Sequence, residues 1–265
     1  MIFFFGCSRT ASKAYQHILN QHTDIHISRE LHLISSPRKK SLYLVYLKYR
    51  WRHRSLPKLC AELATLRSST YWRTKQYDAG LFLEYLKEND IQTIGFKTLV
   101  RALMDFDAQK NGKAILGAKF PAHIFFFPVF RYLWGFKNGK YIFLARKPRD
   151  IVFSQFNKHE MRNPLLRISM VLYVAFMFDF TIFYSKFFSK KNVHFIKYED
   201  FKVNREKVVQ DLCVFTGQQY HSGMIQVKVF DSLIRKDTTA YQLSGFENVL
   251  LQIATFPWSN LYAKH

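Results

Sequence analysis

The chain is short of acidic residues and of cysteines, and each shortage excludes a class of protein. Only 19 of its 265 residues are Asp or Glu, against 40 Lys or Arg, so the formal net charge is +21. The three cysteines, Cys7, Cys60 and Cys213, are widely spaced and form no C-x-x-C pair. This pattern argues against a disulfide framework or a zinc site and favours a reducing compartment.

Other common signals are also missing. No internal repeat, low-complexity tract or linker divides the chain. No charged segment with a cleavage site precedes the apolar run at residues 2–5, so we expect neither a signal peptide nor an amino-terminal anchor. The sequence therefore predicts one cytoplasmic domain over residues 1–265, with residues 218–265 as a carboxyl-terminal extension that is hard to assign.

The longest apolar stretch, residues 165–188, is long enough to cross a membrane. It is interrupted by Arg167, Asp179 and Lys186, and an Asp in the middle of a bilayer is costly. The stretch therefore predicts a core helix beneath a sheet. The positive net charge separately predicts peripheral attraction to an anionic membrane surface.

Short apolar runs alternate with helical patterns, which predicts an α/β fold with a central parallel sheet and helices on both faces. The predicted strands are residues 2–5, 24–28, 93–97, 115–119, 141–145 and 193–197. The predicted helices are residues 11–20, 41–54, 57–67, 78–88, 98–109, 122–134, 148–160, 165–188 and 204–216.

The most informative motif is R-K-P-R-D at residues 146–150, followed by Ser154. It directly follows the apolar run at 141–145, which is typical of a buried parallel strand. Pro148 suits the first position of a helix, and one helical turn separates Asp150 from Ser154. A guanidinium and a hydroxyl therefore meet where open α/β sheets bind ligands, and the motif predicts an anion site.

A second arrangement of strand, loop and helix opens the chain. The run at 2–5 is followed by G-C-S-R-T-A-S-K at residues 6–13 and then by a helical pattern. Backbone N–H groups at the helix start, the hydroxyls of Thr10 and Ser12, and the cations Arg9 and Lys13 suit a phosphate-like group. The loop is not a Walker A motif, which requires G-x-x-x-x-G-K-[ST].

Together the two motifs resemble the sulfotransferases that use 3′-phosphoadenosine 5′-phosphosulfate (PAPS) as donor. The family's 5′-phosphosulfate loop, G-x-P-[RK]-S-G-T-T, is matched by Gly6, Arg9, Thr10 and Ser12. Its 3′-phosphate block, R-[DN]-P-[RK]-D with a later Ser, is matched by Arg146, Pro148, Arg149, Asp150 and Ser154. The run at 193–201 is similar to the family's late strand ending in Y-E-D-L, and the order of motifs agrees over roughly residues 1–217.

The resemblance implies a P-loop-NTPase-like sulfotransferase fold in a single domain, with donor binding by residues 6–13 and 146–154. It implies PAPS as co-substrate, no metal, and transfer of a sulfuryl group to a hydroxyl or amine. The segment Arg235-Lys236 is faintly similar to the family's R-K-G segment that closes over the 3′-phosphate, although Asp237 replaces the glycine.

The opening loop departs from the family pattern at two positions. Ala11 stands where the family usually has Gly, and Lys13 stands where it usually has Thr. Because a Cβ disfavours positive φ, we expect helical or extended backbone at Ala11. Lys13 is either an additional phosphate contact or a solvated side chain.

Glu30 is the first candidate for the general base that accepts the acceptor's proton. It lies just beyond the second predicted strand, where several sulfotransferase subfamilies carry a catalytic Glu; the alternative is a surface ion pair with a neighbouring base. His32 and His123 remain alternatives because the unperturbed imidazole pKa suits the role. Lys119 opens a segment similar to the family's K-x-P and is a candidate to stabilise the leaving oxygen.

The segment 31–61 holds eight Lys or Arg and no acidic residue, and residues 48–54 interleave cations with aromatic rings. One interpretation is a solvated basic helix. The other is an acceptor groove for an anionic polysaccharide or glycolipid, with aromatic faces against sugar rings. Two further functions stay open at this point: a nucleotide-dependent phosphotransferase on a related scaffold, and a non-enzymatic binder of polyanions or nucleic acid.

Overall fold

The computed structural model describes residues 1–34, 41–52, 55–66, 77–121, 123–188, 191–226 and 241–264. Its strands are β1 (Ile2–Gly6), β2 (Ile25–Ser28), β3 (Ile115–Lys119), β4 (Lys140–Ala145) and β5 (Val193–Lys197). Its helices are α1 (Ser12–Asn20), α2 (Leu42–Trp51), α3 (Leu56–Ala64), α4 (Ala79–Glu88), α5 (Phe96–Lys110), α6 (Pro148–His159), α7 (Pro164–Phe187), α8 (Tyr198–Val203), α9 (Arg205–Thr216), α10 (Gly245–Thr255) and α11 (Trp258–Lys264).

The strands form one parallel sheet in the order β2-β3-β1-β4-β5. Phe3 in the central strand pairs in register with Ala118 of β3 and Tyr141 of β4. The predicted α/β fold with a parallel sheet is confirmed.

Alternating side chains of β1 enter two separate cores. Phe3 and Phe5 belong to one core cluster, whereas Ile2 and Phe4 belong to a second. Successive residues of a strand point to opposite faces, so this division places hydrophobic packing on both faces of the sheet. The sheet is covered on both sides, as an apolar central strand requires.

The helices that follow β1 and β4 lie on opposite faces of the sheet. The buried apolar residues of α1 pack in the cluster of Phe4, whereas those of α6 and most of those of α7 pack in the cluster of Phe3. A crevice opens where neighbouring strands send their connections to opposite faces, and ligands of open α/β sheets bind there. In this chain that crevice lies between the carboxyl ends of β1 and β4.

Five of the six predicted strands are present, but the strand expected at residues 93–97 is wrong. Gly95 instead caps α5, which begins at Phe96. Ile94 and Phe96 are buried on either side of it and anchor the start of the helix to the core. The expectation failed because a short alternating pattern is produced equally by an anchored loop that leads into a helix.

The segment expected as one helix at 122–134 is also different in the structure. It contains a 3-10 turn (Ile124–Phe126) and a five-residue π-helix (Val129–Leu133). Pro128 lies between them, and a proline inside a helix removes a backbone donor and clashes with the preceding turn. The predicted helix 41–54 ends earlier, at Trp51, and residues 53 and 54 lie outside the described residues.

The long apolar helix α7 is only partly a core helix. It is the one described helix long and apolar enough to cross a membrane. Of its most apolar 18-residue stretch, only 39% is buried. One face packs into the core through residues such as Val171, Val174 and Phe178, while Phe176 and Phe187 are exposed. The predicted packing beneath the sheet therefore accounts for one side of the helix.

Gly6, at the end of β1, should tolerate no side chain. Its φ is 138°, and a Cβ there would lie 2.2 Å from the backbone oxygen of Leu144. We expect Gly6→Ala to lower the free energy of unfolding by roughly 3 kcal/mol or more, through strain and steric overlap. Gly217→Ala is the control, because Gly217 also has positive φ (74°) but no atom within 4 Å of the added Cβ. Equal losses in denaturant titrations of the two variants would contradict this account.

Candidate donor and acceptor site

The candidate site residues lie in one row along the carboxyl edge of the sheet. Glu30 follows β2, Lys119 ends β3, the loop 6–13 continues β1, and Arg146 follows β4. The order β2-β3-β1-β4 places these four strand ends side by side. These described residues, predicted for donor binding and for catalysis, therefore share one edge.

The loop 6–13 turns sharply on two residues with left-handed backbone. Arg9 has φ 74° and Ala11 has φ 63°, so the helical or extended conformation expected at Ala11 is wrong. Ala11 precedes α1 directly, and its carbonyl accepts the backbone N–H groups of Ala14 and Tyr15. These hydrogen bonds start the helix and hold Ala11 in a conformation that alanine seldom adopts.

The hydroxyl and cationic side chains of the loop are not equivalent. Thr10 is buried, and its hydroxyl donates to the carbonyl of Cys7 at 2.8 Å, so Thr10 braces the loop from inside. Ser12 is the first residue of α1, where backbone N–H groups are available to an anion. Lys13 is exposed, one residue further along.

A hydrogen bond joins the two predicted donor-binding motifs. Arg9 Nε donates to Ser154 Oγ at 2.8 Å, across 145 positions of sequence. Ser154 lies in the second turn of α6, on the far side of the crevice from α1. The Ser154 hydroxyl accepts this bond, and a hydroxyl also carries a hydrogen that it can donate to a ligand.

Arg146 is held in place but keeps an unsatisfied donor. Its guanidinium lies over the ring of Tyr198, 4.6 Å from the centroid. Its Nε lies 3.6 Å from Asp150 Oδ2, which is an ion pair but too long for a hydrogen bond. The same Nε is buried without a hydrogen-bond partner among the described residues. A buried guanidinium N–H without an acceptor fits an anionic ligand.

Glu199 braces the start of α6. One of its carboxylate oxygens accepts the backbone N–H of Lys147 at 3.0 Å, and the other accepts the hydroxyl of Tyr262 in α11. Burial and the hydrogen bond with Glu199 raise the pKa of Tyr262. The late Y-E-D run thus supplies two supports for the 146–154 block: the ring under Arg146 and the carboxylate beside Lys147.

Glu30 and Lys119 interact electrostatically, and burial shifts their pKa values in opposite directions. Burial raises the pKa of Glu30, although the charges of His32 and Lys119 act against this effect. Burial also lowers the pKa of Lys119 to about 8, with the nearby carboxylate of Glu30 opposing it. A carboxylate of raised pKa and an ammonium of lowered pKa are suited to proton transfer near neutral pH.

His123 is a buried brace and a weak base. Its Nε2 lies 3.0 Å from the carbonyl oxygen of Ile34 and 3.2 Å from the backbone nitrogen of the same residue. Burial lowers the pKa of His123 to about 4, so its ring is neutral at physiological pH. The ring contacts that of His32, with centroids 5.2 Å apart. His123 therefore braces the segment that follows Glu30, and its lowered pKa makes it a weaker base than an ordinary imidazole.

Two side chains near Glu30 were missed from the sequence. Tyr173, in α7, has its pKa raised to about 12 by burial and by the nearby Cys7 and Glu30. Lys158, one turn after Ser154 in α6, contributes to the electrostatics of Glu30. Neither residue stands in a motif, and only the packing of α6 and α7 brings them to the site.

The predicted 3′-phosphate segment and the question of a metal site complete the comparison with the sequence. Arg235 and Lys236 lie outside the described residues. Among the described residues, no group of three or more His, Cys, Asp or Glu side chains is arranged to hold a metal ion.

The family model of the sulfotransferase family matches residues 2–222. The match covers most of the chain, so the protein belongs to the sulfotransferase family. No curated protein sequence matches the chain.

Solved structures give the same fold at low sequence identity. A sulfotransferase domain from the Synechococcus PCC 7002 olefin synthase has a TM-score of 0.60 at 18% identity, covering 99% of this chain and 94% of its own. A sulfotransferase domain from the curacin biosynthetic pathway has a TM-score of 0.54 at 19% identity, covering 89% and 78%. A sulfotransferase from Mycobacterium avium has a TM-score of 0.55 at 11% identity, covering 98% and 76%.

The left-handed backbone at Ala11 generates a prediction about stability. We expect Ala11→Val to lower the free energy of unfolding by about 1–2 kcal/mol, because a β-branched side chain is strained at positive φ. Ala11→Gly removes the Cβ and should stay within about 1 kcal/mol of the parent. Thermal unfolding measures both variants, and a Val variant as stable as the Gly variant would contradict the observed loop conformation.

Proposed function

We propose that this sulfotransferase uses PAPS as donor and binds it across the crevice between β1 and β4. The observation that carries the proposal is the junction of the two loops, where Arg9 meets Ser154 and the buried Arg146 Nε has no hydrogen-bond acceptor among the described residues. A donor with a phosphosulfate at one end and a 3′-phosphate at the other requires two anion sites on adjacent strand ends. The loop 6–13 would hold the 5′-phosphosulfate, and Arg146 with Ser154 would hold the 3′-phosphate.

The catalytic residues would act from the neighbouring strand ends. When bound, the donor supplies an activated sulfuryl group. Glu30 accepts the proton of the acceptor hydroxyl, and Lys119 donates toward the oxygen that gains charge as the bond to sulfur breaks. The positive side chains of the site neutralise charge on the sulfuryl oxygens, and the fixed loops hold the two substrates in line.

We propose that the acceptor group is a hydroxyl or amine of a carbohydrate. The carbohydrate is either an anionic polysaccharide or a glycolipid. The helix α2 starts beside the segment that carries Glu30, since the backbone N–H of Tyr43 donates to the carbonyl of Leu33. On α2 the cations Lys48 and Arg50 are exposed, and so is Trp51 at its end. These groups lie in the last turn of α2, and exposed cations beside an aromatic face suit acidic sugars.

The donor proposal predicts a specific effect of Arg146. We expect the protein to bind adenosine 3′,5′-bisphosphate in calorimetric titration, with clear preference over AMP and ADP. Arg146→Ala should weaken that binding by about ten- to a hundredfold, because it removes a charge-assisted contact to the 3′-phosphate.

Arg101→Ala is the matched control for this experiment. Arg101 is an exposed residue of α5 near the amino group of Met1, at the opposite end of β1 from the site, so its removal lowers the positive charge equally and should change the affinity little. A parent protein that binds AMP and ADP as tightly as the bisphosphate would overturn the donor assignment.

The roles of Glu30 and Lys119 are tested by turnover. Glu30→Gln should keep the affinity for the bisphosphate and lower kcat by about a hundredfold or more, because the base is lost. In the parent, kcat/KM should rise with pH as Glu30 loses its proton and fall above about pH 8 as Lys119 loses its proton.

Lys119→Arg is the control for the alkaline side of the profile. An arginine keeps its charge at high pH, so the fall above about pH 8 should disappear. Normal turnover by Glu30→Gln would show that another group is the base.

A further inference from the structure

A row of exposed phenylalanines runs along the outer side of α7. Phe176, Phe180, Phe183 and Phe187 are spaced at i, i+4, i+7 and i+11, which places them on one stripe of the helix. Their exposed fractions are 54%, 36%, 36% and 69%. Scattered exposed apolar residues are common, but four aromatic rings in line form a continuous patch that normally marks an interaction surface.

The phenylalanine row leads to the candidate catalytic residues. The rings of Phe180 and Phe125 have centroids 5.2 Å apart, and those of Phe125 and Tyr173 are 6.3 Å apart. Glu30 is one of the nearby groups that raise the pKa of Tyr173. Aromatic contacts therefore connect the row to a residue in the neighbourhood of the proposed base.

Charge around the row favours an anionic partner over a second copy of the chain. Among the described residues of α7, α10 and α11, the acidic side chains are Asp179, which is half-buried, and Glu247, which is buried and paired with Arg167 at 2.7 Å. Lys186 and Lys264 on these helices are exposed. Two copies carrying a net charge of +21 each repel one another, whereas an anionic lipid surface attracts both the cations and the rings.

We propose that α7 docks on an anionic lipid membrane through its phenylalanine row, and that the acceptor is therefore membrane-bound, a glycolipid rather than a free polysaccharide. This inference about the acceptor rests on the proposed function; the docking surface does not. The rings enter the boundary between headgroups and acyl chains, and Lys186 and Lys264 contact anionic headgroups. The contacts through Phe125 and Tyr173 place this surface beside the proposed site, so that the headgroup of a lipid in the docked membrane is near Glu30.

The helix lies on the membrane and does not cross it. Its opposite face is fixed in the core by Val171, Val174 and Phe178. Arg167 also joins it to α10, where Glu247 accepts two hydrogen bonds from the guanidinium at 2.7 Å each. Burying the whole helix in lipid would break this packing and expose the charged pair to hydrocarbon.

The test is flotation of the full chain with vesicles of phosphatidylcholine, with and without phosphatidylglycerol. We expect binding that requires phosphatidylglycerol. Phe176→Ser/Phe187→Ser, which changes the two most exposed rings, should lower this binding about tenfold or more. Val203→Ser/Val214→Ser is the matched control, because these residues of α8 and α9 are exposed and apolar but lie outside the row. The control variant should bind vesicles as the parent does.

Two further readouts separate the possible failures. Lys186→Glu/Lys264→Glu should lose the preference for phosphatidylglycerol while keeping the parent's unfolding temperature. Equal vesicle binding by the Phe variant and the parent would overturn the docking surface. The proposal would also be overturned if sedimentation velocity showed the parent and the Val control as dimers and the Phe variant as a monomer.

Titration with adenosine 3′,5′-bisphosphate distinguishes a failure of membrane docking from a failure of donor binding. The Phe variant should bind the bisphosphate with the affinity of the parent. Vesicle binding without bisphosphate binding would leave the docking surface standing and remove the donor proposal. Bisphosphate binding without vesicle binding would support the donor proposal and overturn the docking surface.

Discussion

The parallel pairing of β1 with β4 is the constraint on which the candidate site depends. It brings the backbone at Gly6 so close to Leu144 that no side chain fits between the strands. The two loops that leave these strands therefore start side by side, although 140 positions of sequence separate them. Because α1 and α6 then pass to opposite faces, the loops diverge around a crevice that Arg9 and Ser154 close with one hydrogen bond.

The electrostatics of the site follow from how each charge is held. Arg146 rests on an aromatic ring and lies near one acid, and Lys119 is buried beside Glu30. Few carboxylates compete for these cations, since the chain has 19 acidic residues against 40 basic ones. Asp150 and Glu30 offset part of this positive charge, and a bound anion would offset more of it. The charges of His32, Lys119 and Lys158 act against the rise that burial causes in the pKa of Glu30.

The sequence was most informative where function and fold demand the same residues. The loop 6–13 and the 146–154 block could be recognised because each combines a strand, a turn and chemically distinctive side chains. The conformation of Ala11 could not be predicted, since hydrogen bonds to its carbonyl from α1 override the preference of alanine. Tyr173 and the exposed row of α7 were invisible for another reason: an apolar helix has the same composition whether one side or all of it is buried.

The half-buried state of α7 connects the fold to the choice of acceptor. A helix that served the core alone would gain nothing from phenylalanine on its outer stripe, where each ring leaves apolar area in water. The inner face of the same helix supplies Tyr173 to the neighbourhood of Glu30, so the helix contributes to the site and to the surface at once. The exposed cations Lys48 and Arg50 lie on α2, and the exposed rings lie on α7. An acceptor with a charged sugar and an apolar anchor would use both surfaces, whereas a wholly polar chain would use one.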